Sequence, residues 1–295
     1  METTEMTDIP ITFLYDFTHV DALGRVHIMH EFAANGAKHL VLSDSLINAI
    51  MTDRNVMDQL NEEIAGAGLT FADSHAIFGK FLDLNCPIPE ARPQMLLRHE
   101  LSMQIVADMG VNTITIHTGN ETVYPDYPLE TQFDCLKKSL DHLLPLAEKL
   151  GIVICIENVW FQINTPERLL AVKSCFPTDA LGFCYDAGHA NLMNKGRFNP
   201  ESKPCKAWKD LTPQWDDQIL EKMLPHVVNC HLHDNIGITD QHRNPGSGTV
   251  DWDHIMPLLG QAPRLKVIQS EVLPVMANVP IRNICDKISE LVQKM

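Results

Sequence analysis

The 295-residue sequence predicts an α/β fold, a single parallel (β/α)8 barrel. Three observations carry this. Eight short β-rich runs bounded by turn residues recur along the chain, longer amphipathic stretches separate them, and no linker rich in Gly, Ser or Pro divides the chain. One domain over residues 1–295 is therefore expected, at a length usual for this barrel. An open doubly wound sheet is the alternative, but no GxGxxG fingerprint follows the first run and no phosphate-binding P-loop is present.

The strands in order are ITFLY at 11–15, HLVLS at 39–43, LTFADSH at 69–75, TITIH at 113–117, IVICIE at 152–157, LGFCYD at 181–186, VVNCH at 227–231 and KVIQSE at 266–271. Their near-continuous apolar character suits strands covered on both faces. Between and after them, helices are expected near 20–35, 52–67, 90–110, 130–151, 166–176, 214–225, 251–260 and 280–294. In the fourth of these, apolar residues recur at spacings of three and four, and Gly151 follows the last turn as a stop. The longest irregular piece, 192–213, follows the sixth strand on the side where barrel chemistry is found and reads as a lid or substrate loop.

Composition narrows the function. With 23 Lys+Arg against 38 Asp+Glu the formal charge is −15, which disfavours nucleic acid and anionic membrane as partners without excluding a local basic patch. The start METTEMTDIP lacks the basic and apolar character of a signal peptide, and no segment reaches the roughly 18 apolar residues of a membrane span, so a cytoplasmic protein with no membrane partner is expected. The eight cysteines form no CxxC pair. Cys155, Cys184 and Cys230 lie inside apolar strands and read as reduced packing residues.

Barrel strands end at the mouth, so function is sought at strand endings. His75, His117, Glu157, Asp186, His231 and Glu271 finish the third to eighth strands. Any one alone reads as a hydrogen-bonded rim residue, but so many carboxylates and imidazoles around one axis call for a cation to offset their burial. The mixture suits Mn, Mg, Co or Zn and lacks the thiolates of a structural zinc site. His189, Asp240 and His242 in the following loops are further candidates. Because strand side chains alternate, His231 and His233 can share a face and either can be the ligand, with His231 preferred.

The strings IEN at 156–158, YDAGHAN at 185–191, HLHDN at 231–235 and DQHRNPGSGTVDW at 240–252 resemble those of the xylose-isomerase-like barrel superfamily, from the first strand to the last. The resemblance to its ketose 3-epimerases and hydroxypyruvate isomerases implies one metal held by Glu157, Asp186, His231 and Glu271. It implies isomerisation or epimerisation of a small sugar-like hydroxy-carbonyl substrate through a metal-stabilised enediolate, with Glu157 and Glu271 as the catalytic base and acid. His189, Arg243 and His117 would contact substrate, and Trp160 would form a pocket wall; Trp208 in the expected lid is a further aromatic candidate. No organic cofactor is expected, and homo-oligomers are implied. The resemblance to endonuclease IV implies instead a three-metal phosphoesterase or abasic-site nuclease, adding His75, His117, His189, Asp240 and His242 as ligands. The acidic charge and the lack of an evident Arg, Lys and aromatic cluster in the early loops favour the small-molecule expectation.

Overall fold

A computed structural model describes residues 9–209 and 211–295. The strands are β1 (Ile11–Phe13), β2 (His39–Leu42), β3 (Thr70–Ser74), β4 (Thr113–Ile116), β5 (Val153–Glu157), β6 (Leu181–Asp186), β7 (Val227–Leu232) and β8 (Val267–Ser270). All pair in parallel in the order β3-β2-β1-β8-β7-β6-β5-β4. The two end strands meet through a single parallel bridge, His75 to Thr115, with Ala76 N–H donating to the Thr115 carbonyl at 2.9 Å and Ser74 Oγ to the Thr113 carbonyl at 2.6 Å. This nearly closes the predicted barrel.

The helices are α1 (Ala22–Ala34), α2 (Asp44–Thr52), α3 (Asn55–Gly66), α4 (Arg92–Asp108), α5 (Leu129–Leu150), α6 (Pro166–Cys175), α7 (Ala187–Met193), α8 (Lys203–Trp208), α9 (Ile219–Met223), α10 (Trp252–Leu259), α11 (Pro274–Ala277) and α12 (Ile281–Val292). Helix α5 shows why these segments cover the barrel. Phe133, Leu136, Leu140, Leu143, Leu144 and Ala147 bury one stripe, each large side chain contributing about 1.5–3 kcal/mol, and Gly151 ends the helix at φ 70°. No helix among the described residues is long and apolar enough to cross a membrane. The eight cysteines are free thiols.

Three expected segments differ. The helix expected over 52–67 is α3 (Asn55–Gly66), and a helix not expected, α2 over Asp44–Thr52, precedes it and ends at Asp53, whose backbone is extended (φ −142°, ψ 111°). The helix expected over 214–225 shrinks to Ile219–Met223, since Pro225 follows within a short 3-10 turn over Leu224–His226. The stretch 192–213, read as irregular, contains α8, capped by the Ser202 side chain on the Cys205 N–H.

Candidate metal centre and its cavity

The strand endings converge. One ligand atom from each of Glu157, Asp186, His231 and Glu271 lies within 4.8 Å of every other, and all four residues are buried. His231 Nδ1 stands 3.5 Å from Glu157 Oε1, 3.7 Å from Asp186 Oδ2 and 3.4 Å from Glu271 Oε2. Beside this quartet, His75, His117 and Glu157 form a second group, with His117 Nε2 at 3.2 Å from Glu157 Oε2. On the other flank Asp240 Oδ2 lies 3.5 Å from His189 Nε2 and 3.0 Å from His242 Nε2. The structure thus brings together all nine side chains expected as ligands.

Local structure explains the placement. Asp186 caps α7, its Oδ1 accepting from the His189 N–H at 2.6 Å, so one turn of helix carries His189 back over the strand end. Asn158, unassigned in the sequence, clamps Asp186 from β5: its Oδ1 accepts from the Asp186 N–H at 2.8 Å and its Nδ2 donates to the Asp186 carbonyl at 3.0 Å. His233 shares a face with His231, but its Nε2 bonds both oxygens of Asp186 at 3.1 Å, whereas His231 points into the quartet. Gly188 makes room for it, because a Cβ there would meet the His233 ring at 2.0 Å. The loop bearing Asp240 and His242 is folded around buried Asp234, whose carboxylate accepts from the N–H groups of Asn235, Gly246 and Val250 and from Trp252 Nε1 at 2.8–3.1 Å. Gly248 is required there, a Cβ falling 2.2 Å from Asp234 Oδ1. This explains the HLHDN and GSGTVDW strings. His242 holds φ 44° and stacks on His233 with ring centroids 4.2 Å apart.

The electrostatics follow from burial. Desolvation alone would raise the Glu157 carboxyl, but the imidazoles of His231, His117 and His189 hold it well below the usual carboxylate range. Burial is likewise outweighed at Asp240, held well below by His189 and His242, and at Glu271, lowered by His231 and His242. Conversely, against the opposing effect of burial, His189 is raised well above the ordinary imidazole value by Asp186 and Asp240, His231 by Cys184, Glu271 and Glu157, and His242 to about 9 by Asp240 and Glu271. Glu157 Oε2, His231 Nδ1 and Asp240 Oδ1 are buried without a hydrogen-bond partner. Of these, the Glu157 and His231 atoms belong to the quartet of ligand residues brought within 4.8 Å of one another, and unpartnered donors in such a group fit a divalent cation.

Above this floor opens a cavity of about 450 Å³, a size suited to a small ligand. Glu157, Glu271, His117 and His189 line its base; Tyr15, Phe78, Trp160 and Phe161 give apolar walls. Trp160 stands edge-on to His189 at 4.9 Å between ring centroids. Arg243, expected to contact substrate, is not among the lining residues; its Nη1 donates to the Ser247 carbonyl on its own loop at 3.3 Å. No described residue of 192–213 lines the cavity either, and Trp208 is buried behind the wall with Nε1 on the Trp160 carbonyl at 2.9 Å. Asp83 and Lys80, in the loop after β3, line the cavity and drew no attention in the sequence because no strand ending marks them.

Comparison with known proteins places this geometry in context. The family described as xylose isomerase-like TIM barrel matches residues 26–264. An uncharacterized protein of Sinorhizobium fredii is 24% identical over 215 residues, 65% of this chain and 63% of that protein. A probable endonuclease 4 of Trichlorobacter lovleyi is 25% identical over 200 residues, 65% of this chain and 67% of that protein. The first curated relatives are matched over less than two thirds of their own length, the second, from Methanocaldococcus jannaschii, over 53%. Among solved structures, a D-tagatose 3-epimerase-like protein superposes with TM-score 0.73 at 17% identity, covering 96% of this chain and 97% of that one. The IolI protein with a bound zinc atom gives 0.67 at 17% identity, covering 97% and 99%. At these identities the structural likeness establishes the fold.

Proposed function

Because the chain belongs to the xylose isomerase-like TIM barrel family, we propose that it is a divalent-metal-dependent isomerase or epimerase of a small sugar or sugar-like hydroxy-carbonyl compound. One observation carries this: Glu157, Asp186, His231 and Glu271 converge within 4.8 Å, and two of them, Glu157 and Glu271, also line the base of the cavity. Mn, Mg, Co or Zn suits the mixed oxygen and imidazole donors. A divalent cation bound there supplies positive charge opposite the substrate oxygens on which negative charge develops as a proton leaves carbon. Glu157, held ionised by its imidazole neighbours, is fit to accept that proton and to return it at another carbon, whereas protonation at the other face would require Glu271, across the quartet, to enter the step carrying a proton of its own, against the lowering its imidazole neighbours impose. His117 and His189 lie at the base within reach of substrate oxygens, and Trp160 offers a flat wall to the CH face of a sugar.

A second reading, a multinuclear phosphoesterase or abasic-site nuclease, is favoured by the additional group of His75, His117 and Glu157 and by Asp240 standing between His189 and His242. Elemental analysis of protein purified without chelator, followed by incubation of ketoses in D2O, separates the two. About one ion per chain with deuterium entering next to the sugar carbonyl is expected. Two or three ions with cleavage of abasic DNA and no exchange would replace the proposal with the second reading.

A further inference from the structure

A bound cation needs each imidazole ligand to offer a lone pair from one nitrogen while the other nitrogen carries the proton and finds an acceptor. Three imidazoles of the centre meet this with a backbone carbonyl. His75 Nδ1 lies 2.9 Å from the Ala76 oxygen, His189 Nδ1 3.0 Å from that of Asn158, and His242 Nδ1 2.8 Å from that of Glu271; the Nε2 atoms of His189 and His242 face Asp240, although His189 Nδ1 also stands 3.1 Å from Glu157 Oε1. His231 is reversed. Its Nδ1 faces the quartet with no hydrogen-bond partner, and its Nε2 points down into the barrel, where its one partner among the described residues is Thr115 Oγ1 at 3.5 Å.

That hydroxyl belongs to a buried network one layer beneath the strand endings. Asn229 Nδ2 donates to Thr115 Oγ1 at 3.1 Å and to Asp73 Oδ2 at 2.7 Å, and Thr113 Oγ1 donates to Asp73 Oδ1 at 2.7 Å. All four residues are at most 1% exposed. In its ionised form the Asp73 carboxylate accepts only, so it fixes which end of the Asn229 amide faces it. A flipped amide would set oxygen against oxygen. With the amide fixed, both Nδ2 hydrogens are committed, one to Asp73 and one to Thr115. Thr115 Oγ1, accepting from Asn229 through one lone pair, has a second with which to accept from His231 Nε2–H, the direction a cation on Nδ1 requires.

We propose that Asp73, Asn229 and Thr115 are positioning residues that hold His231 as its Nε2–H form, leaving Nδ1 as the lone-pair atom aimed at the cation. This rests on the metal-centre reading above. The network does for His231, whose Nε2 has no carbonyl partner among the described residues, what the backbone does for His75, His189 and His242.

The test titrates Co²⁺ and Zn²⁺ into metal-free wild type, Thr115→Val and Thr115→Ser, with circular dichroism to verify the fold. Thr115→Val keeps the shape and removes the acceptor; its Co²⁺ affinity should fall about 10–100-fold and its visible Co²⁺ spectrum should change, while Thr115→Ser stays near wild type. Long-range ¹H–¹⁵N correlations of Zn²⁺-loaded wild type should show the His231 proton on Nε2, a readout independent of any variant's folding. Wild-type affinity and spectrum in Thr115→Val, or a proton on Nδ1, would overturn the relay and leave the metal centre standing. Failure of the wild type to bind either cation would overturn the metal centre, and the relay with it.

Discussion

The layer directly beneath the strand endings divides into two unlike halves. Below Glu157 and Asp186, on β5 and β6, lie Cys155 and Cys184, which with Val153 and Val228 form a small buried apolar cluster apart from the main core. Below His75, His117, His231 and Glu271, on β3, β4, β7 and β8, lie Asp73, Thr115, Asn229 and Gln269, all fully buried and polar. Barrel interiors are ordinarily filled by branched apolar side chains, so the polar half is the departure. Its cause is the chemistry above it. A carboxylate has two equivalent oxygens and no tautomer, and can be oriented from the side, as Asn158 and the His189 N–H orient Asp186. An imidazole whose second nitrogen points downward requires an acceptor below, and a hydroxyl placed there requires its own neighbours in turn.

The change with the largest expected effect is made above both halves. Glu157→Gln removes the one carboxylate shared by the quartet and the His75/His117 group, and should lower proton exchange by about 10²–10³-fold and the bound metal with it. Full exchange in this variant would show that the two groups do not share a working ligand. Next comes Asn229→Leu in the polar half, which leaves the buried Asp73 carboxylate short of a donor. Thermal denaturation should report a loss of about 1–3 kcal/mol, and metal titration a weaker site; unchanged values would dissolve the distinction between the halves.

Imidazole protonation sharpens the contrast between the mouth and the helical layer. His242, among carboxylates, is raised to about 9, whereas His99 on α4, buried with its Nε2 on the Leu82 carbonyl, is pushed down to about 4 by desolvation. The signs are opposite. In metal-free protein the His242 contribution to stability is present below about pH 6.5 and lost as pH rises through about 9. The His99 term is absent above about pH 6.5, and stability falls as pH drops toward about 4, because the unfolded chain takes up the proton first. Denaturation of wild type and His99→Gln between pH 4 and 7 should give a shallower slope in the variant. Equal slopes would assign the acid loss to carboxylates alone. The smallest effect is expected for Cys155→Ala in the apolar half, about 1 kcal/mol of stability with metal affinity unchanged. A marked loss of metal there would mean that the apolar half also orients ligands.

Much of this was legible in the chain. Each of the eight expected strands overlaps an observed strand with its ends within two residues, because a strand buried on both faces writes its apolar run locally. The strand endings carried six of the nine candidate ligands for the same reason, and the other three, His189, Asp240 and His242, lie in the segments that follow them. The floor was legible in principle and went unread: Asp73, Thr115, Asn229 and Gln269 each stand two residues before a predicted ligand, and the period of two puts them one layer below it on the same face. Polar residues inside otherwise apolar strands were the signal.

What the sequence by itself determined is therefore the barrel, the strand order along the chain and which face each strand presents, since these depend on neighbours within a few residues. Only the tertiary structure decided that His231 enters the quartet while His233 bonds Asp186, that Arg243 turns onto its own loop, and that Asp73 meets Asn229 across 156 positions. Those outcomes depend on the distance between strands far apart in the chain, which the closure of β3 against β4 and the register of β7 set together, and no local pattern encodes a distance across the barrel.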